Sequence, residues 1–138
     1  MSRERPLILV ADDETHILHV VSLKLINAGY DVITAEDGEE ALQLAIEKRP
    51  DLVITDLQMP FMTGLQLCEA MREHEPTATT PALMLTARGF ALAEEYLDRT
   101  NIVGVMSKPF SPREVLARTQ ELIGAGRTPT AAEDPKPL

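Results

Sequence analysis

The sequence predicts an α/β fold in which a parallel five-stranded sheet is covered by helices on both faces. Short apolar segments typical of buried strands alternate with longer amphipathic segments typical of helices, and this alternation repeats five times between residues 7 and 123. Parallel strands of one sheet are joined by right-handed crossovers, which place the helices on both faces. We therefore expect one doubly wound α/β domain over residues 1–124.

Five short apolar runs predict the strands. The first, Leu7–Ala11, is continuously apolar and is followed by acidic residues, which is typical of a central strand buried on both faces. Alternating polarity over residues 30–34 predicts an edge strand. The other three strands are expected at residues 52–55, 82–85 and 102–106.

Helices are predicted where apolar residues recur at three- and four-residue steps. The first spans residues 14–28, and Gly29 follows it as a C-terminal stop. The second begins after Asp37, an N-cap residue with Glu40 three positions later, and ends before Pro50.

Three further helices complete the pattern. The third is expected at Gly64–Glu73 and the fourth at residues 90–99. Ser111 and Glu114 form a capping-box sequence with Pro at the first helical position, and this fifth helix continues to Ile123. The last fifteen residues contain three Pro and two Gly without periodicity, so we expect residues 125–138 to be a disordered tail.

The composition argues against a nucleic-acid partner. The chain carries 13 basic and 22 acidic residues, a net charge of −9, and only 4% aromatic residues, with no Trp. Such a charge repels phosphate backbones, and few aromatic side chains are available to stack on bases.

The same sequence predicts a cytoplasmic protein without a membrane partner. Cys68 is the only cysteine, so no internal disulfide can form, and we expect it to be a small buried residue. The chain opens without a signal-peptide pattern. Its longest apolar stretch, Leu7–Ala11, is far shorter than the roughly 20 residues that a membrane span needs.

Polar residues stand at the carboxyl ends of four predicted strands. Asp12 and Asp13 follow the first strand, Asp56 the third, Thr86 the fourth and Lys108 the fifth. Carboxyl ends of parallel strands gather at one sheet edge, where such folds bind ligands. Three neighbouring carboxylates repel one another unless a cation neutralises them, and Mg²⁺ binds carboxylate and phosphate oxygens. The pattern predicts Mg²⁺-assisted phosphoryl chemistry, and the chain has no Gly-x-x-x-x-Gly-Lys-Ser/Thr loop for a nucleoside triphosphate.

Four motifs together resemble the response-regulator receiver domains of two-component signalling, in a stand-alone form similar to chemotaxis regulators. The resemblance covers residues 6–124 and implies a flavodoxin-like fold with sheet order 2-1-3-4-5. The motifs are Val-Ala-Asp12-Asp13-Glu, Asp56-Leu-Gln-Met-Pro60-Phe-Met-Thr-Gly64, Leu-Thr86-Ala87-Arg and Ser-Lys108-Pro109-Phe110.

The resemblance implies a role for each site residue. Asp56 would accept a phosphoryl group from the phosphohistidine of a sensor histidine kinase or phosphotransfer protein. Lys108, the Thr86 hydroxyl and the Ala87 backbone N–H would bind the phosphoryl group, and the bond from Lys108 to Pro109 would be cis. Mg²⁺, or Mn²⁺, would be held by Asp12, Asp13, Asp56 and the main-chain carbonyl of Gln58.

The resemblance also implies a conformational output to a downstream effector protein. In the family, phosphorylation moves a switch region that corresponds here to Thr86, Val105 and Pro109. Val105 departs from the family pattern, which commonly has Tyr or Phe three positions before the lysine. A rotating aromatic side chain therefore cannot transmit the signal at this position.

Three alternatives to a working stand-alone receiver stay open. A receiver-like interaction module that is never phosphorylated would keep the fold, but such modules normally lose some of the site residues. A haloacid-dehalogenase-like phosphatase would need an Asp-x-Asp after the first strand, and Asp12-Asp13-Glu14 lacks that spacing. The Pro-rich tail also resembles a linker, as expected in a longer regulator. We do not expect an enzyme beyond catalysis of the protein's own Mg²⁺-dependent phosphorylation and slow dephosphorylation.

Overall fold

The computed structural model describes residues 5–87 and 100–124. These ranges contain five strands, four α-helices and one short 3₁₀ turn at Glu75–Thr77. The strands are β1 (Leu7–Ala11), β2 (Asp31–Ala35), β3 (Leu52–Asp56), β4 (Ala82–Thr86) and β5 (Ile102–Ser107). The helices are α1 (Thr15–Asn27), α2 (Gly38–Lys48), α3 (Gly64–Glu73) and α4 (Pro112–Ile123).

All five strands are parallel and lie in the order β2-β1-β3-β4-β5. This order confirms the predicted doubly wound α/β fold, with β3 at the centre and β2 and β5 at the two edges. The helix expected at residues 90–99 and the tail expected at residues 125–138 lie outside the described residues. None of the helices in the described part of the chain is long and apolar enough to cross a membrane.

The core has two layers because alternate residues of each strand point to opposite sheet faces. On one face Leu9 and Ala11 pack with residues of α2 and α3, whereas on the other Ile8 and Val10 pack with residues of α1 and α4. Parallel strands covered on both faces are apolar throughout. This explains why β1, β3 and β4 lack the polar alternation of an exposed strand.

Side-chain caps fix where the helices begin. Ser111 Oγ accepts a bond of 3.2 Å from the Glu114 N–H, and Glu114 Oε1 accepts one of 2.7 Å from the Ser111 N–H, so the predicted capping box is confirmed. Asp37 caps α2 through the Glu40 N–H at 2.8 Å. The Glu40 carboxylate, however, accepts from the Glu36 N–H, one residue before the expected donor.

The element bounds differ from the predicted ones by a residue at several ends. Asp56 and Thr86 are the last residues of their strands because they keep the sheet register, paired with Leu85 and Ser107 respectively. Tyr30, predicted at the start of β2, precedes that strand. It is fully buried, and its hydroxyl donates a bond of 2.5 Å to the Gly124 carbonyl after α4.

A leucine pair on α1 tests the assignment of its buried face. Leu25 is fully buried and Leu23 is 50% exposed. Leu25→Ala should lower the free energy of unfolding by about 2–5 kcal/mol because it leaves a cavity. Leu23→Ala is the matched control and should change it by less than about 0.5 kcal/mol. Urea unfolding followed by circular dichroism measures both, and equal losses would contradict the assignment.

Candidate functional site

The carboxyl ends of the strands bring the predicted site residues to one edge of the sheet. Asp12 comes directly after β1, Asp56 and Thr86 end β3 and β4, and Lys108 directly follows β5. Backbone hydrogen bonds continue past the strands here. The Asp12 N–H donates to the Ala35 carbonyl at 3.1 Å, and the Lys108 N–H donates to the Thr86 carbonyl at 2.7 Å. The backbone of Asp12 and Lys108 is therefore held by the same kind of hydrogen bond as the strands before them.

Lys108 lies at the centre of the site. Its Nζ is 3.0 Å from Asp56 Oδ1, 3.2 Å from Glu14 Oε1 and 3.3 Å from Asp12 Oδ2. An ammonium group has three N–H donors, so these oxygens can use all of them. The peptide bond between Lys108 and Pro109 is cis, as the resemblance implied.

Burial and charge act in opposite directions on these groups. Burial is the largest influence on Asp12 and Asp56 and raises the pKa of both carboxyl groups. At Asp12 the hydrogen bond from the Glu14 N–H and then Lys108 partly oppose this rise, and at Asp56 Lys108 does so. For Lys108, burial alone would lower the pKa, but the ion pairs with the carboxylates, Asp56 and Asp12 above all, raise it overall. The lysine therefore stays charged, whereas Lys108 alone does not fully offset the cost of ionising the two buried aspartates.

Three carboxylates at this edge could hold a metal ion. Asp12, Asp13 and Asp56 each offer an oxygen, and these oxygens lie within 4.8 Å of one another. Oxygen donors of this kind suit Mg²⁺ and Mn²⁺, and a bound cation would offset the desolvation of the buried pair. The residues therefore fit such an ion. The fourth predicted ligand, the main-chain carbonyl of Gln58, follows Asp56 by two residues in an exposed position and stays a prediction.

The hydroxyl of Thr86 has a local partner. The residue is fully buried, and its Oγ1 donates a hydrogen bond of 2.8 Å to the Ala87 carbonyl. Ala87, directly after β4, is exposed. The hydroxyl could therefore donate to a phosphoryl oxygen only after it breaks its hydrogen bond to the Ala87 carbonyl.

The loop after Asp56 packs too tightly to admit a side chain at Gly64. A Cβ at this position would overlap the Asp56 carbonyl oxygen, and the Gly64 N–H donates to the Leu57 carbonyl at 2.9 Å. Thr63 then caps α3 through a reciprocal box with Gln66. Glycine is thus required to fold the loop back against the strand end that carries Asp56.

A family model described as the response regulator receiver domain matches residues 8–120. The chain belongs to this family. Receiver domains are the phosphorelay signalling modules of two-component response regulators, and they are not enzymes acting on a separate substrate. The alternative of a module that is never phosphorylated is not favoured.

The curated relatives are longer transcriptional regulators. This receiver domain is 41% identical over 123 residues to the alkaline phosphatase synthesis transcriptional regulatory protein PhoP of Bacillus subtilis, covering 84% of this chain and 48% of that protein. It is 39% identical over 129 residues to the DNA-binding dual master transcriptional regulator RpaA of Synechocystis, covering 93% of this chain and 54% of that protein. The chain thus spans about half the length of the curated relatives it matches.

Solved receiver structures share the fold over nearly their whole length. The chemotaxis response regulator CheY4 of Vibrio cholerae superimposes with a TM-score of 0.77 at 37% identity, covering 84% of this chain and 97% of that one. The receiver domain of sensor histidine kinase PA1611 from Pseudomonas aeruginosa superimposes with a TM-score of 0.76 at 26% identity, covering 86% and 98%. In that structure a magnesium ion is coordinated in the active site cleft.

Two features of the receiver domain escaped the sequence analysis. Phe61, in the loop after Asp56, is 80% exposed and has a φ of 69°, a left-handed conformation that bulky residues rarely adopt. The ion pair between Glu14 and Lys108 joins residues 94 positions apart. No local sequence pattern predicts either feature. The backbone conformation of Phe61 depends on how its loop closes, and the ion pair between Glu14 and Lys108 depends on the sheet topology.

Val105 leaves the expected switch position without an aromatic ring. It lies in register with Met84 of β4 and packs, half-buried, against the core on the α2 and α3 face of the sheet. Its branched side chain is part of the packed layer. The predicted role of Val105 in a switch region stays a prediction.

Asp56→Asn should stabilise the metal-free receiver domain at neutral pH. Because the pKa of Asp56 is raised above 3.8, the folded state holds its proton more tightly than the unfolded state, and stability falls as the pH rises from 3.8 through the folded-state pKa. Asparagine removes this loss. Urea unfolding in a chelator should show the variant more stable at pH 7, with the difference shrinking as the pH is lowered to 3.8 and below.

The matched control for this experiment is Asp31→Asn. Asp31 is an exposed residue at the start of β2, at the opposite end of the strands. Its replacement should change the free energy of unfolding by less than about 0.5 kcal/mol. A wild-type protein that is more stable than Asp56→Asn at pH 7 would contradict the electrostatic account of the site.

Proposed function

We propose that this receiver domain accepts a phosphoryl group on Asp56 from the phosphohistidine of a sensor histidine kinase or a phosphotransfer protein. The proposal depends mainly on the groups that surround the buried Asp56 carboxylate. Its side chain is 7% exposed, one of its oxygens lies 3.0 Å from Lys108 Nζ, and Asp12 and Asp13 lie beside it. A nucleophile, a cation and a set of metal ligands thus share one sheet edge.

The proposed transfer moves the phosphoryl group from a histidine nitrogen of the donor protein to an oxygen of Asp56. A carboxylate oxygen of Asp56 attacks phosphorus and forms a P–O bond while the P–N bond to histidine breaks. The electron pair of that bond goes to the imidazole nitrogen, which takes a proton from solvent. In the slow dephosphorylation of Asp56, a water oxygen attacks phosphorus, the bond to the Asp56 oxygen breaks, and inorganic phosphate leaves.

Asp12, Asp13, Asp56 and the Gln58 carbonyl would hold Mg²⁺ or Mn²⁺ in the proposed site. When bound, such an ion offsets negative charge on the transferring phosphoryl group. The raised pKa values of Asp12 and Asp56 support this assignment, because both carboxylates gain from additional positive charge.

Lys108, Thr86 and Ala87 would bind the transferred phosphoryl group. Lys108 Nζ already contacts the Asp56 oxygen, so a short movement would carry it to a phosphoryl oxygen. The Thr86 hydroxyl would leave the Ala87 carbonyl and donate to a second oxygen, and the backbone N–H of Ala87 would donate to a third.

The proposed output begins with these movements. A phosphoryl group adds roughly 1.5 to 2 negative charges, which draw Thr86 and Lys108 inward. Lys108 is joined to β5 and, through Pro109, to the loop before α4, so its displacement would move that surface. With Val105 in place of an aromatic residue, we assign the readout to this loop and to Thr86 and Ala87, where a downstream effector protein would dock.

We further propose that the partners are proteins and that the domain acts in the cytoplasm without contacting nucleic acid or membrane. The net charge of −9 supports a protein partner over a phosphate backbone. Cys68, the single cysteine, is buried as expected, and burial and neighbouring Glu69 raise the pKa of its thiol to about 12. The thiol is therefore kept in its unreactive protonated form.

Incubation with phosphoramidate and Mg²⁺ tests the acceptor directly. Intact-mass analysis should show one phosphoryl adduct on the wild-type protein and none on Asp56→Asn, because the amide cannot act as the nucleophile. Asp31→Asn is the control and should give the wild-type adduct. An adduct that persists on Asp56→Asn at the wild-type rate would show that another residue is the acceptor.

Mg²⁺ should stabilise the folded protein even without a phosphodonor. Binding to the folded state alone adds about 2.7 kcal/mol to the free energy of unfolding at one hundred times the dissociation constant. Thermal unfolding with and without Mg²⁺ should therefore show a rise in Tm that Asp13→Asn reduces sharply and Asp31→Asn retains. An equal rise in all three proteins would place the metal elsewhere.

A further inference from the structure

Glu14 occupies one of the three contacts of Lys108, and no step of the proposed transfer uses it. Its carboxylate lies 3.2 Å from Lys108 Nζ and is 60% exposed, whereas Asp12 and Asp56 are buried. Glu14 is not one of the three carboxylates placed to share a metal ion in the described part of the chain. Of the three carboxylates that contact the lysine, that of Glu14 is thus the one exposed to solvent.

The fold does not require the Glu14 side chain. Glu14 is the N-cap residue of α1, but its side chain makes no capping hydrogen bond. Its structural contacts are made by the backbone: the carbonyl accepts from the Ile17 and Leu18 N–H groups, and the N–H donates to Asp12 Oδ1 at 2.9 Å. A change of side chain at this position should leave these bonds intact.

We propose that Glu14 is a specificity-determining residue that limits reaction with small anionic phosphodonors by holding Lys108. This inference rests on the proposed transfer to Asp56. An incoming phosphoryl group needs the Lys108 ammonium, and its approach from solvent meets the Glu14 carboxylate. A small donor must displace that carboxylate and overcome its charge with no binding surface beyond the phosphoryl group and its short leaving group.

The test compares initial rates of phosphorylation by phosphoramidate in Mg²⁺, followed by intact mass over a range of donor concentrations. Wild type, Glu14→Gln, Glu14→Asp and Glu39→Gln are compared. Glu39 is an exposed glutamate in the first turn of α2, so its replacement makes the same charge change elsewhere on the surface. Circular dichroism and Tm establish that each variant is folded.

Glu14→Gln should raise the second-order rate constant about two- to fivefold, the range expected from removing one exposed ion pair. The gain should come mainly from tighter donor binding and should shrink at high ionic strength, which screens exposed charges. Glu14→Asp, whose carboxylate is one methylene too short to keep the contact but keeps the charge, should retain part of the gain. Glu39→Gln should react like wild type.

Two results would overturn the inference while leaving Asp56 as the acceptor. One is an equal rate in Glu14→Gln and wild type. The other is a wild-type rate in Glu14→Asp, since charge alone and not the contact with Lys108 would then control the donor. If neither the wild type nor any variant formed an adduct, the proposed transfer itself would fail and the inference with it.

Discussion

The site depends on the ion pairs that the ammonium group of Lys108 forms with buried carboxylates. Two of its partners, Asp12 and Asp56, are buried carboxylates whose pKa values are raised by burial, and each would be costly to ionise without a nearby cation. Lys108 supplies that cation, because its Nζ lies 3.3 Å from Asp12 Oδ2 and 3.0 Å from Asp56 Oδ1. The same ion pairs keep the lysine charged. The pair needs more positive charge than one lysine provides, which favours a metal ion at the same edge.

The sheet topology makes this contact possible. Lys108 and Asp12 are 96 positions apart in the chain, but β1 and β3 are neighbours at the sheet centre and β5 ends at the same edge. Two apolar layers on opposite faces hold the strands in register, so the energy of the fold comes from the core and the chemistry lies at the strand ends. Gly64 completes the arrangement by letting the loop after Asp56 turn back onto the strand.

Much of this fold and site could be predicted because the relevant signals are local. Continuous apolar runs indicate buried parallel strands, and a polar residue that ends such a run must lie at the sheet edge; Asp12, Asp56 and Lys108 were found in this way. Contacts that depend on the folding of distant or irregular segments could not be predicted from the sequence. The ion pair of Glu14 needs the position of β5, the left-handed backbone at Phe61 needs the closed loop, and Glu40 bonds to Glu36 although its spacing matched a capping box with Asp37.

The most direct test of this account is the effect of Mg²⁺ on the unfolding of Lys108→Met at pH 7. Methionine keeps much of the length of the lysine side chain but has no charge, so the buried carboxylates lose their counter-charge. The account predicts that the metal-free variant is less stable than the wild type and that saturating Mg²⁺ raises its free energy of unfolding by more than it raises that of the wild type. Equal stability without metal, together with an equal gain from Mg²⁺, would contradict the central role of Lys108.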